Sequence, residues 1–122
     1  MNLGGLSFTS QFPIDRLAMP QPLTGTRNIP GDTFFSSFTV PHVVGASFIP
    51  FIRYSIDGGV SWQENGAPFV ENVNIPGLGV RPVDTVSMTA RCNNDLVEIF
   101  EVNNNTASRN VMWEVYGVVK DV

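Results

Sequence analysis

Residues 85 to 92 read TVSMTARC, and within them Val86, Met88, Ala90 and Cys92 alternate with Thr85, Ser87, Thr89 and Arg91. Successive side chains of an extended chain point to opposite faces. The order therefore predicts a strand whose first set faces a core and whose second set faces water, with Cys92 as a small buried hydrophobe. The polar run NND, 93–95, then reverses the chain into LVEIFEV, 96–102, which predicts a hairpin. Nowhere do apolar residues recur at the 3, 4 and 7 spacing of a helix, so little or no helix is expected.

The rest of the chain from Thr33 follows the same grammar of short strands divided by turn residues. FFSSFTV, 34–40, ends at Pro41. SFIPFIRYS, 47–55, contains Pro50, which cannot donate to a ladder and so belongs at an edge or a bulge. APFVENVNI, 67–75, is a weaker strand, followed by the Gly/Pro loop PGLGVRP. After the polar loop NNNTASRN, the last strand VMWEVYGVV, 111–119, turns Val111, Trp113, Val115, Gly117 and Val119 to one face, with Trp113 in the core. This is the pattern of an all-β, antiparallel β-sandwich, jelly-roll-like or immunoglobulin-like. A chain of 122 residues supports one core.

Residues 1–32 differ from residues 33–122. Pro13, Pro20, Pro22 and Pro30 fall there among Gly4, Gly5, Gly25 and Gly31, with no sustained periodicity. Each proline fixes its own φ and biases the residue before it to extended conformations, so the segment is expected to be an extended N-terminal arm. Its apolar residues Leu3, Leu6, Phe8, Phe12, Ile14, Leu17 and Met19 are too many for a solvated linker. Phe8, Phe12, Ile14, Leu17 and Met19 are the candidate contact residues, either across the chain's own domain or on a neighbouring subunit.

Charged residues make up 15% of the chain and the net charge is −4, which gives no electrostatic reason to bind nucleic acid or an anionic membrane. Cys92 is the only cysteine, so neither an internal disulfide nor a multi-thiolate metal site is expected. The start MNLGGLSFTS lacks a basic patch followed by an apolar run, and no stretch approaches ~20 apolar residues. The expectation is synthesis in the cytoplasm without a signal peptide.

Reactive chemistry finds few candidates. His42, in VPHVVG, is the only histidine, and any Ser-His or Cys-His catalysis would have to use it. A histidine bonding locally at a strand end is the simpler reading. One histidine without a second ligand cluster falls short of a metal site, and no cofactor is expected. GLG at 77–79 is no phosphate cradle, because Pro82 follows where a helix should begin. Asn104-Asn105-Thr106 fits a glycosylation acceptor but reads as a polar loop.

Ser55, Asp57, Gly59 and Trp62 stand in the spacing S-x-D-x-G-x-x-W, which resembles the Asp-box repeated in sialidases and other β-propellers. In those families the motif shapes a hairpin turn, so the resemblance implies geometry and not catalysis. Asp57 can accept from the amides ahead of it, while Gly58 and Gly59 accept positive φ. A propeller needs several copies and a longer chain, and this sequence has one. Trp62 beside the turn is the aromatic best suited to stack on a sugar ring.

TVPHVVGASFIPFIRYSIDGGVSW, MTARCNNDLVEIF and NVMWEVYGVV together resemble a small β-sandwich module of tailed-bacteriophage structural proteins, over about residues 33 to 119. The resemblance implies a non-enzymatic homo-oligomer, a trimer among the options, located in the virion. Its partners would be the major capsid protein or tail components, most simply with the chain as a capsid decoration or cement subunit that holds neighbours through its arm. The alternative is a tail-fibre or receptor-binding module that recognises a glycan, with Trp62 as the platform.

Overall fold

The computed structural model describes residues 17–18, 22–42 and 48–119. Phe8, Phe12, Ile14 and Met19 lie outside the described residues. The chain is all-β and antiparallel, with no helix among the described residues. Its strands are β1 (Leu17–Ala18), β2 (Leu23–Ile29), β3 (Thr33–Pro41), β4 (Phe48–Ser55), β5 (Gln63–Glu64), β6 (Val70–Ile75), β7 (Gly79–Asp84), β8 (Val86–Asn93), β9 (Leu96–Asn103) and β10 (Arg109–Val119).

Two sheets form the layers. In the first, β10 is central: β4 flanks it on one side and carries β5, while β1 and β2 share its other side. The second runs β3-β9-β8. Between them lie Phe48, Ile52 and Tyr54 of β4, Val111, Trp113 and Val115 of β10, Val86 and Met88 of β8, and Val97 and Ile99 of β9. Val86 and Met88 of the expected inward set of β8 and Val111, Trp113, Val115 and Gly117 of that of β10 are buried, while Ala90 and Cys92 are only half-buried as β8 nears its end. Trp113 is in the core, its ring 5.9 Å from that of Phe38 on the facing sheet.

The segment 65–69 closes one side of the sandwich. Asn65 N–H donates to the Ile52 carbonyl of β4, and Gly66 and Phe69 N–H donate to the Met88 and Val86 carbonyls of β8. One stretch of chain therefore ties the edge of each layer to the other. Pro50 has its edge position: β5 pairs with β4 only at Arg53 and Tyr54, so the Pro50 stretch has β10 as its one described neighbour.

Three features differ from the sequence reading. The segment expected to be an arm through residue 32 enters the sandwich earlier, because β2 pairs with β10 from Leu23 to Ile29 and Ile29 is fully buried. Its inward positions Leu23, Gly25, Arg27 and Ile29 look unpromising alone but answer their neighbours. A Cβ at Gly25 would stand 2.5 Å from the Trp113 ring, so glycine makes room for the indole. Second, part of the expected PGLGVRP loop is β7, which pairs with β6 as a two-stranded ribbon turning at Gly77 (φ 85°). Third, Thr85 is buried instead of facing water. It lies where the ribbon runs into β8, and its hydroxyl donates to the Phe69 carbonyl at 3.2 Å.

Candidate functional site

The turn after β4 is built by Ser55 and Asp57. Asp57 Oδ1 accepts from the Ser55 hydroxyl (2.7 Å) and from the backbone amides of Val60 (3.1 Å) and Ser61 (2.9 Å), and its other oxygen accepts from the Ser61 hydroxyl. Ser55 Oγ in turn accepts from Gly59 N–H at 2.9 Å. Gly58 and Gly59 hold φ of 75° and 96°, which glycine adopts without a Cβ clash. The Ser61 hydroxyl, the Ser61 amide and the Ser55 hydroxyl together hold the Asp57 carboxyl below the ordinary carboxylate range, at about 2. The carboxylate is thus spent on the turn. It lacks the raised pKa that a glycosidase acid needs.

The only cysteine and the only histidine meet at the end of the sandwich, with Cys92 Sγ 3.6 Å from His42 Nε2. The same nitrogen lies 2.7 Å from the Asn94 carbonyl oxygen. A carbonyl only accepts, so Nε2 carries a proton and donates it there. An N–H cannot take the thiol proton, and at this atom the pair is not the base-and-nucleophile arrangement of a Cys-His dyad. The backbone adds to the tether, because His42 N–H donates to the Asp95 carbonyl at 3.0 Å. His42 thus bonds the β8–β9 turn across space, through its ring and its backbone amide.

The outward face of the first sheet carries a different assembly. Strand register sets Phe51 opposite Tyr116 and Arg53 opposite Glu114. Arg53 Nε donates to Glu114 Oε1 at 2.8 Å, and the Tyr116 hydroxyl donates to the same oxygen at 2.7 Å. The Arg53 guanidinium also lies over the Trp62 ring, 4.1 Å from its centroid, and 5.9 Å from that of Tyr116. The Tyr116 hydroxyl and then Arg53 hold Glu114 below its ordinary pKa, so it stands as a carboxylate at neutral pH. Trp62, whose indole N–H donates to the Gly59 carbonyl, links this cluster to the turn. With guanidinium over its ring, Trp62 is a less open platform for a sugar than the sequence alone suggests. Ile49, Phe51, Met112 and Tyr116 extend the face as exposed apolar or aromatic side chains.

The sequence alone points to Trp62 on this face, with Tyr116 among the other aromatics able to stack on a sugar, and does not single out Arg53, Glu114 or Phe51. The signal was present in phase: residues 112, 114 and 116 are the outward alternates of the inward Val111, Trp113 and Val115. What it could not supply was the cross-strand register that brings Arg53 and Phe51 beside them.

A second missed constellation lies at the β2 and β3 side of the sandwich. Glu101 of β9, 1% exposed, accepts both Arg27 Nε (2.8 Å) and Arg27 NH2 (2.9 Å) and the Ser36 hydroxyl (2.6 Å). Arg27 also packs over the Phe38 ring at 4.3 Å. Such bidentate pairing offsets the cost of burying a carboxylate. It is a fixed structural tie, with every carboxylate oxygen engaged. Among the described residues, no His, Cys, Asp and Glu cluster is arranged to hold a metal ion. Comparison with protein-family models, with curated proteins and with solved structures gives no match.

Proposed function

We propose that the chain is a structural subunit of a bacteriophage virion, a capsid decoration or cement protein that acts by contact and performs no chemistry. The observation that carries this reading is the apolar area on the outward faces of both sheets. Phe34 and Phe35 are 71% and 73% exposed on β3, and Ile49 is 62% exposed beside Phe51 and Tyr116 on the first sheet. Contiguous apolar surface rimmed by polar residues marks association sites, and Trp, Tyr and Arg are the residue types that dominate binding energetics.

Ion pairs on these faces, Arg53–Glu114 and Arg91–Glu98, are satisfied within the chain. The surface thus offers shape and apolar area in place of unmet charge. The likeness of residues 33–119 to phage sandwich modules supports the virion, with the major capsid protein or a tail component as partner. The apolar residues of the N-terminal segment support a homo-oligomer. Sedimentation velocity of the full chain and of Phe51→Asp tests the reading. The full chain should sediment as a defined multiple of its 13.4 kDa mass, and Phe51→Asp should shift toward monomer with an unchanged far-UV spectrum. A full chain that stays monomeric, or an assembly indifferent to the change, would overturn the use of this face.

A further inference from the structure

We infer that two copies of the chain pair face to face through the outward side of the first sheet, about a two-fold axis that runs parallel to the strands between β4 and β10; this rests on the assembly reading above and names the contact that makes it. Strand register sets the residues. Across β4 and β10, Arg53 stands opposite Glu114 and Phe51 opposite Tyr116, on adjacent outward rows. The two charged side chains are reachable, at 34% and 22% exposure, and both aromatic rings are exposed.

The Arg53–Glu114 pair is neutral as a unit, yet its bonds leave atoms over. They use Arg53 Nε and Glu114 Oε1, the oxygen that also accepts from the Tyr116 hydroxyl. Among the described residues, no hydrogen bond engages Glu114 Oε2 or the terminal nitrogens of Arg53. A guanidinium donates from all three nitrogens and a carboxylate accepts on both oxygens, so the face presents donors and an acceptor side by side. The Trp62 ring, 4.1 Å from the guanidinium, holds Arg53 in place, which lowers the entropy lost on contact. A purely apolar partner would desolvate these charged atoms without answering them. The partner that fits carries the same two groups in reverse order.

A second copy supplies that order by symmetry. A two-fold axis lying between two stacked sheets, along the strands, sets β4 of each copy over β10 of the other. Arg53 of each copy then faces Glu114 of the other, and Phe51 of each faces Tyr116 of the other, so every contact is made twice. The two rows lie about 7 Å apart along the strands, and sheets stack at ~10 Å, so one placement of the axis serves both rows. Such a contact is isologous, the same patch on each copy. Aromatic burial supplies affinity, and the crossed charges fix the register. An axis moved onto either strand would set Glu114 against Glu114 or Arg53 against Arg53, which like-charge repulsion disfavours.

Charge reversal tests this on the full chain, by sedimentation velocity and native mass spectrometry. Arg53→Glu leaves two acidic groups on the face and Glu114→Arg two basic ones, so each variant alone should self-associate about a hundredfold or more weakly than the wild type. Mixed in equal amounts, the two variants set acid against base at both crossings, and a dimer containing one of each should form with about the wild-type affinity. The chain carrying both reversals keeps its internal ion pair and should self-associate as the wild type does, which separates the contact from any effect on folding. Single variants that associate like the wild type overturn the inference, as do single variants that stay apart when mixed. If the wild type is a multimer indifferent to these changes, the assembly reading stands and this interface falls. A wild type monomeric at every concentration removes the assembly reading, and this interface with it.

Discussion

Glu101 occupies the inward phase of β9 between Ile99 and Asn103, a position for an apolar residue, and is held there by an arginine 74 residues away in sequence. Removing one partner of such a pair leaves a buried charge unmet, whereas replacing both with apolar groups is often neutral. Arg27→Met should therefore cost about 3 kcal/mol in urea unfolding, and Arg27→Met with Glu101→Leu should recover most of it. Equal losses in the single and double variants would contradict the pairing. Asp57 gives a pH-dependent counterpart. Its folded pKa, about 2, lies below the ~3.9 of an unfolded aspartate. Its contribution is thus fully present above about pH 4 and lost as pH falls through about 2. The melting temperature of wild type should exceed that of Asp57→Asn at pH 5, and the gap should close by pH 2; a gap constant with pH would remove this role.

At the scale of elements, legibility followed the range of the interactions that define each strand. β8 and β9 were readable because both alternate and their partner is next in sequence, joined by a turn in which Asn94 takes φ 60°. The Asp57 turn was readable for the same reason, since Ser55, Asp57 and Ser61 bond one another within a few residues. β2 was hidden. LTGTRNI has Gly25 and Arg27 in its inward phase, and both make sense only beside Trp113 and Glu101, residues of strands far along the chain. β7 was hidden by its glycine and proline, which a ribbon edge tolerates and a central strand does not. Of the outward cluster, the aromatics Trp62 and Tyr116 are legible in the sequence, while Arg53 and Glu114 are not, because cross-strand register brings them together. Because β2 is integral, a chain beginning at Thr33 should fail to fold: it loses the whole β2 pairing with β10 and the buried Ile29. Cooperative unfolding of that fragment near the wild-type melting temperature would contradict this.

At the scale of the molecule, several polar side chains of the described residues are engaged in structural bonds. Cys92 Sγ and His42 Nε2 meet the Asn94 carbonyl, Asp57 ties a turn, and Glu101 is locked to Arg27. Apolar side chains stand exposed on the outward faces and on the ribbon, and under the proposed function they are the contact surface. The account therefore stands on self-association. A native mass spectrum of the full chain tests it most directly: the account predicts a dominant species at an integer multiple, two or more, of 13.4 kDa. A single species at that mass, persisting at the highest concentration that stays in solution, would contradict it.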